Sequence, residues 1–123
     1  MTSDRASAAL LVEDAQQLAL EHSALDAENV VAGDPTTALA PLHSDERVEV
    51  GIWEITSGVA TDIEVDEIFV VLSGRGRVEF ADGSAILMAP GSVVLLKVGD
   101  RTTWVIYETL RKVYVALPQV VST

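Results

Sequence analysis

Apolar and polar positions alternate clearly over residues 47–56, R-V-E-V-G-I-W-E-I-T. Val48, Val50 and Ile52 fall on one side of a strand, and Glu49, Trp53 and Ile55 on the other, because successive side chains of a strand point to opposite faces. Residues 61–74, T-D-I-E-V-D-E-I-F-V-V-L-S-G, begin acidic, turn continuously apolar and stop at a glycine turn, Ser73-Gly74-Arg75-Gly76. Read as one strand, they carry Ile63, Val65, Glu67, Phe69 and Val71 on one face, and Asp62, Glu64, Asp66, Ile68, Val70 and Leu72 on the other. Glu67 is then a single carboxylate in line with four apolar residues. The pattern predicts further strands at residues 77–80, 85–88, 92–98, 102–109 and 111–117. Between them lie the turn sequences Ala81-Asp82-Gly83-Ser84, Ala89-Pro90-Gly91 and Gly99-Asp100. Short strands punctuated roughly every 8–12 residues predict an all-β sandwich or barrel.

The first third of the chain is less regular. Residues 1–7 are small and polar, which predicts disorder, and residues 8–12 form a short apolar run suited to an edge strand. Residues 14–22, D-A-Q-Q-L-A-L-E-H, favour helix by propensity, although the alternation of Leu18 and Leu20 leaves a strand open. Asn29-Val30-Val31 reads as a strand running into the turn Gly33-Asp34-Pro35. Residues 36–46, with Pro41 and His43, read as a connection. The expected organisation is an N-terminal extension over 1–28, a barrel over 29–117 and a tail over 118–123. A length of 123 residues suits one domain.

Composition narrows the chemistry. The formal charge is −11, which argues against nucleic acid and anionic membranes, since both need clustered Lys and Arg. No segment approaches the roughly 20 apolar residues that span a bilayer, and the N-terminal apolar run is too short for a signal-peptide core. There are no cysteines and only two histidines, His22 and His43. Disulfides and thiolate sites are excluded, and a cytoplasmic protein is the expectation.

The spacing of Glu67, six residues, Gly74 resembles the end of the first cupin motif, and Gly91 through Lys97-Val98-Gly99 to Thr102 resembles the second. Gly33-Asp34-Pro35, Gly51-Ile52-Trp53-Glu54, Trp104 and Arg111-Lys112-Val113-Tyr114 extend the likeness. Together they resemble the small single-domain cupins related to ureidoglycine aminohydrolase and the ethanolamine-utilisation cupin, over about residues 29–117. The resemblance implies a cupin-type double-stranded β-helix, a jelly-roll barrel. Metal-binding cupins place two histidines near the glutamate and one in the second motif. Here the positions three or four residues before Glu67 are Ile63 and Glu64, and Thr102 stands in the second motif. No cofactor and no transition metal are therefore expected, and Asp62, Glu64 and Asp66 read as a solvated acidic edge.

Glu67 is the first candidate for chemistry. It is either an acid/base or ligand-binding carboxylate, or a structural one paired with Arg75, Arg77, Lys97, Arg111 or Lys112. Lys112 and Tyr114 share a face and would complete a catalytic set with it. Thr102 shares a face with Trp104, Ile106 and Glu108 and, with Trp53 and Trp104, would bind ligand. Two functions remain open: a metal-free cupin that binds a small molecule without catalysis, or a metal-independent lyase, isomerase or hydrolase acting on a small polar metabolite, which the family resemblance implies to be nitrogenous. Strands apolar on both faces, such as residues 68–72, predict a homodimer.

Overall fold

The computed structural model describes residues 4–118 and is almost entirely β. A short helix α1 (Arg5–Ala9) and a 3₁₀ turn (Ala27–Asn29) accompany nine strands. These are β1 (Ser23–Ala24), β2 (Val30–Ala32), β3 (Thr36–Ser44), β4 (Glu49–Ile55), β5 (Gly58–Ile63), β6 (Glu67–Phe80), β7 (Ala85–Met88), β8 (Val93–Leu96) and β9 (Arg101–Ala116). Every pairing is antiparallel.

Two long strands organise the barrel. The C-terminal half of β9 lies between β4 and the start of β6, whose other side takes β8. The N-terminal half of β9 lies between β5 and the end of β6, whose other side takes β7. Two sheets thus share β6 and β9, which pass from one to the other where their register shifts between Val71 and Gly76. Gly74 permits this crossing. Its φ is +89°, and a Cβ there would lie 2.0 Å from the Thr109 carbonyl oxygen, so only glycine fits. Inside, Phe69, Val71, Val78, Met88, Leu96, Ile106 and Leu110 are almost fully buried, each such side chain stabilising the fold by about 1.5–3 kcal/mol.

Several sequence expectations are corrected. Ser73-Gly74-Arg75-Gly76 is a set of bulges within β6, not a turn, and residues 101–116 form one strand where two were expected. Residues 36–46 contain a strand. Pro41 is tolerated there because it sits at a register shift on a stretch that β1 does not cover. Residues 8–12 form no strand, and residues 5–7 belong to α1, whose Asp4 caps the Ser7 N–H at 2.8 Å. Residues 14–22 contain neither helix nor strand. The expected tail lies outside the described residues beyond Pro118.

The N-terminal extension is strapped to the outer surface of its own barrel. The Arg111 guanidinium donates to the Ala15 carbonyl at 2.9 Å and to Glu54 at 2.7 Å, while His22 bonds Glu54 and the Thr36 hydroxyl, each at 2.8 Å. Another outer surface stays bare. Across β8 and β6, Leu95 pairs with Ile68 and Val93 with Val70, and Ile68, Val93 and Leu95 are exposed. No helix among the described residues is long and apolar enough to cross a membrane.

Candidate functional site

The register of β4, β9 and β6 arranges the interior row by row. Glu49, Ala116 and Glu67 lie abreast, then Gly51, Tyr114 and Phe69, then Trp53, Lys112 and Val71. Small Ala116 leaves room beside Glu67. Gly51 leaves room for Tyr114, since a Cβ at that position would come within 2.6 Å of the phenol oxygen.

Lys112 is 5% exposed, and its Nζ donates to Glu67 Oε2 at 2.6 Å. The same ammonium lies 4.3, 4.6 and 5.0 Å from the ring centres of Phe69, Trp53 and Trp104. Three aromatic faces and a carboxylate thus enclose one cation, each contact being attractive. The Tyr114 hydroxyl donates to Glu49 Oε2 at 2.6 Å. Burial first, then that hydrogen bond, pushes the phenol above its ordinary pKa, so it stays a donor.

Glu64 corrects the expected acidic edge. The one-strand reading of residues 61–74 fails because the chain breaks pairing between Ile63 and Glu67. Asp66 Oδ1 accepts the Val98 N–H, and the Asp66 carbonyl accepts the Leu117 N–H, which fixes the break. The inward parity changes there. Glu64 faces in before the break, with the exposed Asp62 at the mouth of the same cavity, and Glu67 and Phe69 face in after it. Glu64 is 7% exposed, and its Oε2 accepts the Thr102 hydroxyl at 2.6 Å and the Trp104 indole N–H at 3.1 Å. Burial raises its pKa and the Asp62 charge adds to the rise, outweighing the two hydrogen bonds. Asp62 is raised too, by desolvation of its carboxyl. Glu108, expected inside with Thr102, is exposed where β9 bends.

Glu49, Trp53, Asp62, Glu64, Glu67, Trp104, Lys112 and Tyr114 meet around a cavity of about 200 Å³. Asp62, Trp53 and Trp104 also wall a smaller space of about 130 Å³ behind it, under Leu25. A larger hollow of about 390 Å³ lies on the rim near Glu79 and Arg101; it lacks the convergent buried groups of the interior. Of the sequence-derived candidates, Glu67, Lys112, Tyr114, Trp53 and Trp104 line the interior cavity, and Thr102 stands behind it, holding Glu64. Glu64 and Glu49 were missed. Glu64 occupies the stretch where metal-binding cupins carry ligands, and that position was the available signal for its facing inward.

The donor set does not fit a cupin metal. The glutamate that would bind one faces an ammonium, and Thr102 bonds a carboxylate. Among the described residues no three His, Cys, Asp or Glu side chains are grouped to hold an ion. His43 is exposed on β3, bonded to Asp45, and His22 is on the outer surface.

The sequence pattern of the EutQ-like cupin domain matches residues 42–114. The chain belongs to the EutQ-like cupin family. Its fold is similar to that of Clostridium difficile EutQ, with a TM-score of 0.62 and 19% identity, over 68% of this chain and 64% of that one. It is also similar to a putative ethanolamine utilization protein Q of Salmonella typhimurium, with a TM-score of 0.61 and 18% identity, over 83% of this chain and 98% of that one. A Pseudomonas syringae protein of unknown function matches with a TM-score of 0.67 and 20% identity, over 81% of this chain and 45% of that one. The EutQ-like chain thus spans less than two thirds of the length of the Clostridium protein. A sequence comparison with curated proteins found no match. At these identities the structural likeness is one of fold, and the jelly-roll barrel of the cupins is the fold.

Proposed function

We propose that this EutQ-like cupin is a metal-free binding protein for a small polar molecule, held in the cavity between the two sheets. The observation that carries this reading is the Lys112 ammonium, placed 2.6 Å from Glu67 inside an aromatic box. A cation belonging to the chain neutralises the cupin glutamate and opposes a metal ion there by like charge. A cavity of about 200 Å³ is below the ~300–1,000 Å³ of drug-sized sites, so the ligand is a small metabolite. Elemental analysis of the purified protein tests the first half: Fe, Mn, Ni or Zn at one per chain overturns it. A thermal-shift screen of small metabolites tests the second: ligands that raise the melting temperature of the wild type but not of a Trp53→Ala variant are expected. A screen without such ligands sinks the reading.

Glu64 favours a second reading, a metal-independent lyase, isomerase or hydrolase. Its raised pKa and its place on the cavity suit a general acid, whereas Glu67 is engaged by Lys112. Turnover of a screen hit, abolished in Glu64→Gln, would establish it.

The bare row of Ile68, Val93 and Leu95 supports a homodimer of this chain through that face. Sedimentation should show a dimer at micromolar concentration and a monomer for Ile68→Glu. A monomeric wild type refutes the pairing.

A further inference from the structure

We propose that the cavity takes a small organic cation, an alkylammonium, with its N–H groups on Glu64 and Asp62 and its carbon chain against Trp53 and Trp104. The inference rests on the small-molecule reading above and names the ligand class.

Charge argues first. Four carboxyl groups, of Glu49, Asp62, Glu64 and Glu67, line the cavity with a single cationic side chain, Lys112. Lys112 is committed to Glu67 at 2.6 Å, and one oxygen of Glu49 takes the Tyr114 hydroxyl. Among the described residues Asp62 and Glu64 form no ion pair, although the Lys112 charge reaches both. Glu64 is more than nine-tenths buried, its Oε2 is filled by Thr102 and Trp104, and among the described residues nothing bonds Oε1. That oxygen is not buried but opens onto the cavity, where an N–H donor of a ligand can reach it. An anionic ligand would meet uncompensated negative charge.

Chemistry then separates an organic cation from a metal ion. Two indoles stand beside the carboxyls, packed edge to face with their ring centres 5.4 Å apart. Indole faces attract a weakly hydrated ammonium on an alkyl chain, whereas a divalent ion wants six or more oxygen ligands. The box around Lys112 already shows that this interior houses an ammonium against indole faces. The Asp62 charge that adds to the raised pKa of Glu64 is offset when a cation binds beside them.

The two tryptophans are the only ones in the chain, and both wall the cavity, so intrinsic fluorescence reports on occupancy. The experiment titrates wild type, Glu64→Gln, Asp62→Asn and the rim control Glu79→Gln with propylammonium, 1-propanol and propionate. Propylammonium should bind most tightly to wild type and Glu79→Gln. Binding should weaken by roughly tenfold or more in Glu64→Gln, as expected for loss of a charged hydrogen bond, and by less in Asp62→Asn. Equal or tighter binding of propanol or propionate overturns the cation assignment. So does failure of propylammonium to bind. In either case a neutral or anionic hit in the thermal-shift screen leaves the small-molecule reading standing, and an empty screen removes it as well. If Glu64→Gln does not fold by circular dichroism, Asp62→Asn decides: unchanged affinity there refutes the proposed geometry.

Discussion

Arg111 and Lys112 are neighbours on β9 that point to opposite faces, and both are buried cations with a carboxylate partner. Outside, Arg111 holds Glu54, and the bundle is completed by His22 and the Ala15 carbonyl. Inside, Lys112 holds Glu67 among aromatic rings, but its neighbours Asp62 and Glu64 form no ion pair among the described residues and a cavity adjoins them. Burial and pairing are alike on the two faces. What differs is that the inner cation is bordered by carboxyls without an ion pair and by a cavity, which is why the inner face is the proposed binding site and the outer one is read as a fastening.

The sharpest way to break the comparison is to remove each cation. Lys112→Met strands Glu67 in the interior and should lower stability by about 3–5 kcal/mol, with much of it restored by adding Glu67→Gln. Arg111→Met leaves Glu54 its bond to His22 and should lose about 2 kcal/mol, with propylammonium binding intact. Urea denaturation at pH 7 gives both values. Equal losses with equal effects on binding would erase the distinction.

Acid and base sharpen it. Burial pushes Glu54 up, but the hydrogen bonds of Arg111 and His22 outweigh it and hold the folded pKa below the ordinary value. Its stabilising contribution is present above the unfolded pKa and is lost as pH falls through the folded one. Glu64 runs the other way. Its folded pKa is raised, so the native state binds the extra proton and stability falls as pH rises from the ordinary glutamate value through the folded one. Glu54→Gln should therefore flatten the acid side of the stability profile, and Glu64→Gln the side above it, read as melting temperature against pH. Parallel slopes for both variants would contradict the two environments.

A smaller effect concerns the aromatic box. In Lys112→Ala, added methylammonium should regain roughly 4 °C of melting temperature by occupying the vacated place. Arg111→Ala should gain nothing from it. Equal responses would show that the box has no preference for an ammonium.

The interior was largely legible in the sequence, because spacing and strand parity put Glu67, Lys112, Tyr114 and Trp104 on inward faces. Glu64 was not, for one local reason: alternation was carried through Val65 and Asp66, where the backbone leaves one pairing and joins another. A two-residue irregularity suffices to turn an outward carboxylate inward. Gly74 misled in the same way. Its φ of +89° suits a hairpin turn equally well, and what makes it a crossing point is the Thr109 backbone on the facing strand, which no local pattern reports. Pro41 hid β3 because a strand edge accepts it without any mark in the neighbouring residues.

The Lys112–Glu67 pair also sets how the site comes into being. Its positive charge is encoded in the chain, so each folded barrel carries one, in place as soon as β6 and β9 have paired. Assembly needs no loading step for that charge, a chelator cannot strip it, and its supply does not vary with the ions around the protein.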